Sequence, residues 1–244
     1  MVEAPGPGSL LVLVVTYNEG ENIARLVEHI LAQVPHASVL VVDDDSPDGT
    51  SDIVRAIVDP RVRLECRTGV RGYSSAMIAG LRMAMREGYA QVATLDADFS
   101  HNPADLPGLV EALREADVAV GSRYCGGVRV LNWSIRRLLL SLAANAYVRA
   151  LSGLASTDCT SGFRAYRVSA LRGVRLERIS ATGYAFLPEV LFALRAAVIV
   201  DVPICFTERR AGVSKVSGAI IAEALLRPWG LLFRRLMDRL KPTH

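Results

Sequence analysis

Short runs of valine and leucine alternate with segments of helical periodicity through the first half of this chain, and that alternation restricts the fold more than any other feature of the sequence. The runs Leu10 to Val15, Ser38 to Val42, Val62 to Cys66, Ala90 to Leu95 and Val118 to Gly121 are short and closed by polar turns, as expected of strands covered on both faces. Between the first two, Ile23, Leu26, Val27, Ile30 and Leu31 recur at helical spacing,. Asn18 is expected to cap that helix, with Glu21 completing a capping box,. Asn102 and Pro103 open another helix as N-cap and first-turn proline,. Repeated alternation predicts an α/β fold, a mainly parallel central sheet with helices on both faces.

With 244 residues and no Gly/Ser/Pro-rich linker, the chain can bury one full core,. The expected division is a tail over 1–9, a single unit over 10–216 and an amphipathic helical segment over 217–244. Apolar residues make up 51% of the chain, yet no stretch reaches the roughly 18 uncharged apolar residues of a spanning helix. The longest, Leu138 to Val148, is closed by Arg137 and Arg149. Met1 to Pro7 lacks the basic and apolar regions of a signal peptide, so a cytosolic location is expected,. Cys66, Cys125, Cys159 and Cys205 are scattered without a CxxC pair, which supports neither a zinc site nor a disulfide framework,. A net charge of +3 argues against nucleic acid as a partner,. Only Lys215 and Lys241 among the 28 basic residues are lysine, and arginine suits bidentate phosphate binding,.

Chemistry-bearing residues collect where the strands end. Leu95-Asp96-Ala97-Asp98 closes the fourth run; side chains two apart on a strand point the same way, so both carboxylates are expected to face one spot,. In an open α/β sheet that spot is the ligand crevice, and a carboxylate pair there suits a hard divalent cation sharing its other positions with water and a diphosphate. Thr16-Tyr17-Asn18-Glu19 follows the first run and Asp43 to Thr50 the second. In the latter, Asp43 and Asp44 are the candidates for ligand contact, and Asp48-Gly49-Thr50 reads as a turn and cap. Neither G-x-G-x-x-G nor G-x-x-x-x-G-K-[ST] occurs, so phosphates must be held by a metal and by arginines,.

Taken in order, TYNEGENI, VVDDDSPDGT, LDADFSHNP, GSRY, DCTSGFRAY, GYAFLPE and ERRAGVSK resemble the polyprenyl-phosphate (dolichol-phosphate) mannose synthase group of inverting GT-A glycosyltransferases, over residues 10–225. The resemblance implies a GT-A fold and transfer of mannose from GDP-mannose to a polyprenyl phosphate, with Mg or Mn. Tyr17, Glu19, Val42 and Asp44 match the part that holds the nucleoside, and Asp96, Ala97 and Asp98 the metal and diphosphate segment. Ser100 stands where relatives often have a metal-binding glutamine. Arg137, Arg209 and Lys215 match the basic set that meets donor and acceptor phosphates; Arg123 is a further member. Asp98, Arg209 and Lys215 are the catalytic assignment.

A phosphomonoester is already anionic near neutrality, since its second pKa is about 6, so this acceptor requires no strong general base. His101, just past the acidic pair, is the one histidine placed to matter, and Glu189 is the nearest alternative base. Leu142, Leu187, Pro188 and the Arg67 to Tyr73 stretch depart from the group's pattern, which leaves open UDP-glucose as donor, a soluble natural-product acceptor, or a non-catalytic nucleotide-sugar-binding role. Toward the C-terminus Trp229, Leu232, Phe233, Leu236 and Leu240 fall on one helical face beside Arg234, Arg235, Arg239 and Lys241, with Pro228 bending or starting the helix,. That stripe and the helix near Trp133 to Leu151 suit the cytosolic surface of a membrane, and equally packing within the domain or in a dimer.

Overall fold

The computed structural model describes residues 9–69, 71–181, 183, 185–208 and 218–240, the last with side chains from 223 to 238. In chain order the elements are β1 (Leu10–Thr16), α1 (Ile23–Gln33), β2 (Ser38–Asp43), α2 (Thr50–Arg55), β3 (Val62–Cys66), α3 (Tyr73–Glu87), β4 (Gln91–Asp96), α4 (Leu106–Ala112), β5 (Val118–Ser122), β6 (Val130–Leu131), α5 (Ile135–Ser152), β7 (Arg164–Arg167), α6 (Val168–Arg172), α7 (Phe186–Ala193), β8 (Ile199–Pro203), β9 (Phe206–Thr207) and α8 (Gly218–Leu240). Short 3-10 turns lie at Pro103–Asp105 and Leu176–Arg178.

Seven strands form one sheet in the order β3-β2-β1-β4-β7-β5-β8. All neighbours pair parallel except β7, which runs antiparallel between β4 and β5. The α/β expectation is met, and the two-residue alternation of the strands explains why. Leu11, Leu13, Leu40, Val42, Val118 and Val120 face one layer with α3, α5, α6 and α7. Their neighbours Leu10, Val12, Val14, Val39, Val41 and Ala119 face the opposite layer with α1, α2 and α4,. Each fully buried Leu or Val contributes about 1.5–3 kcal/mol. Contact with α3 is close enough that a Cβ on Gly80 would lie 2.3 Å from Leu13 Cδ1. This seats the start of α3, and Tyr73 with it, beside the end of β1.

The predicted capping box is not formed. Helix α1 begins at Ile23 with Asn22 in the capping position and no side-chain cap. Asn18 instead adopts a left-handed conformation, φ 59°, and donates its N–H to Ser46 Oγ at 2.9 Å. The sequence spacing fits a cap, but this asparagine serves the turn between β1 and α1. Asn102 does cap, accepting from Ala104 N at 3.1 Å, although the first turn is 3-10. Helix α5 starts two residues later than expected of Trp133, capped by Ser134. Pro228 lies inside α8 rather than at its start. No helix among the described residues is long and apolar enough to cross a membrane.

Candidate active site

Strand order reverses between β1, which leads outward to β2 and β3, and β4, which leads the other way. Such a switch point opens a crevice beyond the carboxyl ends of the strands. Here it is a cleft of about 650 Å³. One wall carries Val15, Tyr17, Glu19, Asp44, Arg71 and Tyr73; the floor carries Asp96, Ala97, Asp98, Ser100 and Gly162; the facing wall carries Arg123, Trp133, Arg137 and Phe206, and Gly183 and Leu187 complete the lining.

Local hydrogen bonds fix the acidic turn after β2. Asp43 is fully buried and accepts from Thr16 Oγ1 (2.8 Å), Ser46 N (3.0 Å) and Ser51 Oγ (2.8 Å). Burial alone would raise its carboxyl pKa, but these donors outweigh it and hold the carboxyl below its ordinary value,. Asp43 therefore builds the turn and does not reach the cleft, contrary to the expectation of ligand contact. Asp48 is a turn residue as expected, accepting from Thr50 N at 3.0 Å and from Gly20 N at 2.9 Å. Asp44 lines the cleft, paired with Arg67 at 3.2 Å and accepting from Gly72 N at 2.7 Å. The Val42 side chain is fully buried and packs with Leu11, Leu13 and Leu40. Strand alternation turns its side chain into the core, and Val15 from β1 takes the apolar place at the rim.

Strand β4 ends at Asp96, so Asp98 lies beyond it and strand alternation does not orient it. Its orientation comes from Ser100, whose N–H and hydroxyl both donate to Asp98 Oδ1, at 3.0 and 2.5 Å. The intervening Phe99 has φ 59°, a costly conformation for a bulky residue. It is held by an edge contact with His29 and by Arg25 over its ring. His101 is 1% exposed, and its Nδ1 accepts from Asp96 N at 3.1 Å. Burial pushes its pKa down, against the pull of Asp96 and Asp98, so it is a neutral ring that orients the backbone of Asp96. Gly162 completes the floor: a Cβ there would come within 2.9 Å of Tyr73 Oη and 3.3 Å of Asp96 Oδ1.

Arg123 and Arg137 project from the opposite side of the cleft. Arg123 is 7% exposed and held by Asp158 through Nε (2.6 Å) and Nη2 (2.7 Å), with Thr160 Oγ1 also at 2.7 Å. Burial would lower its pKa, but Asp158 more than compensates and raises it. Its guanidinium lies over the rings of Tyr124, Trp133 and Phe206 at 5.3–5.6 Å,. Arg137 stacks on Trp133 at 4.2 Å and pairs with Glu208 at 2.6 Å. Trp133 Nε1 is buried without a hydrogen-bond partner among the described residues, an unspent donor on a wall that faces open space. Arg209 and Lys215 lie outside the described residues. Glu189 does not line the cleft; it is buried, accepting from Ala181 N at 3.2 Å and paired with Arg234 at 3.1 Å. The aromatic setting of Arg123, and Arg71 stacked 5.1 Å over the Tyr17 ring, were not visible in the sequence, because no local pattern brings such distant residues together.

No cluster of three or more His, Cys, Asp or Glu suited to a metal occurs among the described residues. The protein thus offers Asp96 and Asp98 on a cleft floor, and this limited carboxylate set fits a hard cation completed by water and ligand oxygens.

Residues 11–175 match the family described as Glycosyl transferase family 2. The chain is 43% identical to the undecaprenyl-phosphate mannosyltransferase of Micrococcus luteus over 231 residues, covering 92% of this chain and 95% of that protein. It is 42% identical to the polyprenol monophosphomannose synthase of Mycolicibacterium smegmatis over 237 residues, covering 94% and 89%. Its fold resembles that of glucosyl-3-phosphoglycerate synthase from Mycobacterium tuberculosis, crystallised with Mn2+, UDP-glucose and phosphoglyceric acid. The TM-score is 0.68 at 20% identity, over 91% of this chain and 80% of the other.

Proposed function

The chain belongs to glycosyl transferase family 2, and from that premise we propose that it transfers mannose from GDP-mannose to a polyprenyl monophosphate with inversion. The observation that carries this reading is the opposition, across one cleft, of the Asp96 and Asp98 carboxylates to Arg123 and Arg137. Tyr17, Glu19 and Asp44 lie on the nucleoside side, and Asp96, Ala97 and Asp98 meet the diphosphate. Ser100 acts through Asp98, which it orients. When bound, a divalent cation, Mg or Mn, supplies Lewis-acid neutralisation of the leaving diphosphate.

An oxygen of the acceptor phosphate forms the new bond to the sugar's anomeric carbon as the bond to the diphosphate oxygen breaks on the opposite face. Attack from the opposite face inverts the centre, and no proton has to be removed. What the acceptor needs is cationic escort past a floor of carboxylates. Arg123 and Arg137 provide it, with Arg209 and Lys215 as further members of the set. The carboxylates lining the cleft among the described residues are Glu19, Asp44, Asp96 and Asp98, all on the donor side. Glu189, required as base for a hydroxyl acceptor, lies elsewhere, which favours a phosphate.

The lipid acceptor places the enzyme peripherally at the cytosolic face of a membrane. Ile135, Leu139 and Leu140 of α5 and Leu225, Leu226, Trp229, Phe233, Leu236 and Met237 of α8 are exposed, and α5 also carries Arg137 into the cleft. An apolar face flanked by arginines suits an anionic lipid surface.

The test is transfer of radiolabelled sugar from a panel of GDP- and UDP-sugars to a short polyprenyl phosphate, with and without Mn, using Asp98→Ala as control. Labelled lipid from GDP-mannose that disappears in the variant is expected. Labelling from another donor alone would change the donor and keep the mechanism; no labelled lipid from any donor would overturn the acceptor class.

A further inference from the structure

Helix α8 has two working faces. Leu225, Leu226, Trp229, Phe233, Leu236 and Met237 are exposed while Leu231 is buried against the domain, and several of its polar side chains reach back into the domain. Arg227 donates through Nη1 to Ser180 Oγ at 2.6 Å and through Nη2 to Ser180 O at 2.8 Å. Glu223, one turn earlier and 3.4 Å from Arg227, accepts from Gly183 N at 3.1 Å. About two turns beyond Arg227, Arg234 pairs with Glu189, whose other oxygen holds Ala181 N,. Three side chains of one helix thus grip the backbone and side chains around Ser180, Ala181, Gly183 and Glu189. Gly183 and Leu187, in the same stretch, line the cleft.

The helix is itself braced. Pro228 has no N–H to close the ladder, and the Tyr147 hydroxyl of α5 donates to the nearby Leu225 carbonyl at 2.6 Å. Arg235 lies against Gly153 at the end of α5, where a Cβ would meet its guanidinium at 2.4 Å, and Asp238 pairs with Arg195 just after α7. A shift of α8 therefore moves the cleft-lining stretch with it.

We propose that Glu223, Arg227 and Arg234 are positioning residues that link the exposed apolar face of α8 to the acceptor side of the cleft, so that contact with lipid orders the site. The proposal rests on the reading of the protein as a transferase to a lipid phosphate, and deepens it by assigning a regulation to that site. The three side chains touch no reacting atom and act through Gly183 and Leu187. Arginine suits position 227 because its rigid fork reaches a hydroxyl and a carbonyl of one residue from two separate nitrogens, where lysine has a single nitrogen on a flexible stem,.

The test compares the wild-type protein with Arg227→Ala and Arg227→Lys, with and without acceptor-free vesicles of phosphatidylglycerol and phosphatidylethanolamine. Transfer to a short, water-soluble isoprenyl phosphate is measured, and on the same samples amide hydrogen exchange over residues 178–190. Vesicles are expected to stimulate the wild type and slow its exchange in that stretch. Arg227→Ala should raise the acceptor KM about tenfold with the donor KM unchanged, speed the exchange and abolish the vesicle response, and Arg227→Lys should fall between. Unaltered exchange in Arg227→Ala, an equal vesicle response in all three proteins, or donor and acceptor KM rising together would overturn the proposal. Absence of transfer by the wild type would overturn the acceptor reading instead, and the exchange data would still decide whether α8 positions the stretch.

Discussion

Asp43, at the end of β2 next to Asp44, and Arg123, in the cleft wall, are each a buried charge held by other residues, and they are held in different ways. Asp43 takes its donors from Ser46 and Ser51, close by in sequence, and from Thr16 on the adjacent strand. Arg123 depends on one carboxylate 35 residues away, Asp158, and on aromatic rings from three separate segments. The donor side is thus built by turn chemistry that a short stretch of chain can specify, and the acceptor side by long-range pairing. A side built from distant parts can also be adjusted from a distance, which is why α8 has leverage over the acceptor side and none over the Asp43 turn.

The comparison can be broken most forcefully at the floor between the two sides. Asp98→Ala is expected to lower transfer about a thousandfold in a steady-state assay, because Asp98 lines the cleft floor, and to cost about 1–3 kcal/mol in urea unfolding, because Ser100 N and Oγ lose their acceptor,. On the acceptor side, Asp158→Ala leaves Arg123 buried and unpaired, and should cost about 3 kcal/mol or more in urea unfolding besides lost activity. Asp43→Asn on the donor side should cost about 2 kcal/mol at neutral pH. Its pH dependence sharpens the contrast. The folded carboxyl sits below its ordinary value of 3.8, so the stability it contributes is present above that pH and is lost as pH falls through the folded value. The gap between wild type and variant should therefore close in acid.

Gly162→Ala places a methyl between Tyr73 and Asp96. A roughly tenfold loss of donor affinity by calorimetry is expected, with little change in acceptor KM. The smallest effects distinguish a cap from a turn. Asn18→Ala should cost about 1 kcal/mol, since alanine is disfavoured at positive φ, and Glu21→Ala should leave thermal stability unchanged. A large cost at Glu21 would restore the capping box that the structure does not show.

Much of the fold was legible because burial on both faces leaves a continuous apolar run. Val62–Cys66 matches the expected strand, and β1, β2, β4 and β5 differ from expectation only at their ends. Strand β7 was not legible: it reads Arg-Ala-Tyr-Arg, and nothing in that pattern announces a central strand. It is tolerated there because Arg164, fully buried, donates to the carbonyls of Leu187 and Cys159, both at 2.8 Å. Those acceptors come from elsewhere in the chain. In the site, the Asp96 and Asp98 pair was legible from spacing, although Ser100 and not strand alternation orients the second member. A motif position does not say which way its side chain turns, and that of Val42 turns into the core.

By itself, the sequence determined the order of strands and helices in the first half of the chain, the two covered faces of the sheet and the acidic residues at its edge, all of which follow from local periodicity and turn chemistry. Only the tertiary structure decided that Asp43 is a strut, that Glu189 lies outside the cleft lining, and that Arg123 sits among three aromatic rings with Asp158 behind it. The physical reason is that a buried charge is defined by its partners, and Thr16 for Asp43, Arg234 for Glu189 and Asp158 for Arg123 come from segments remote in sequence.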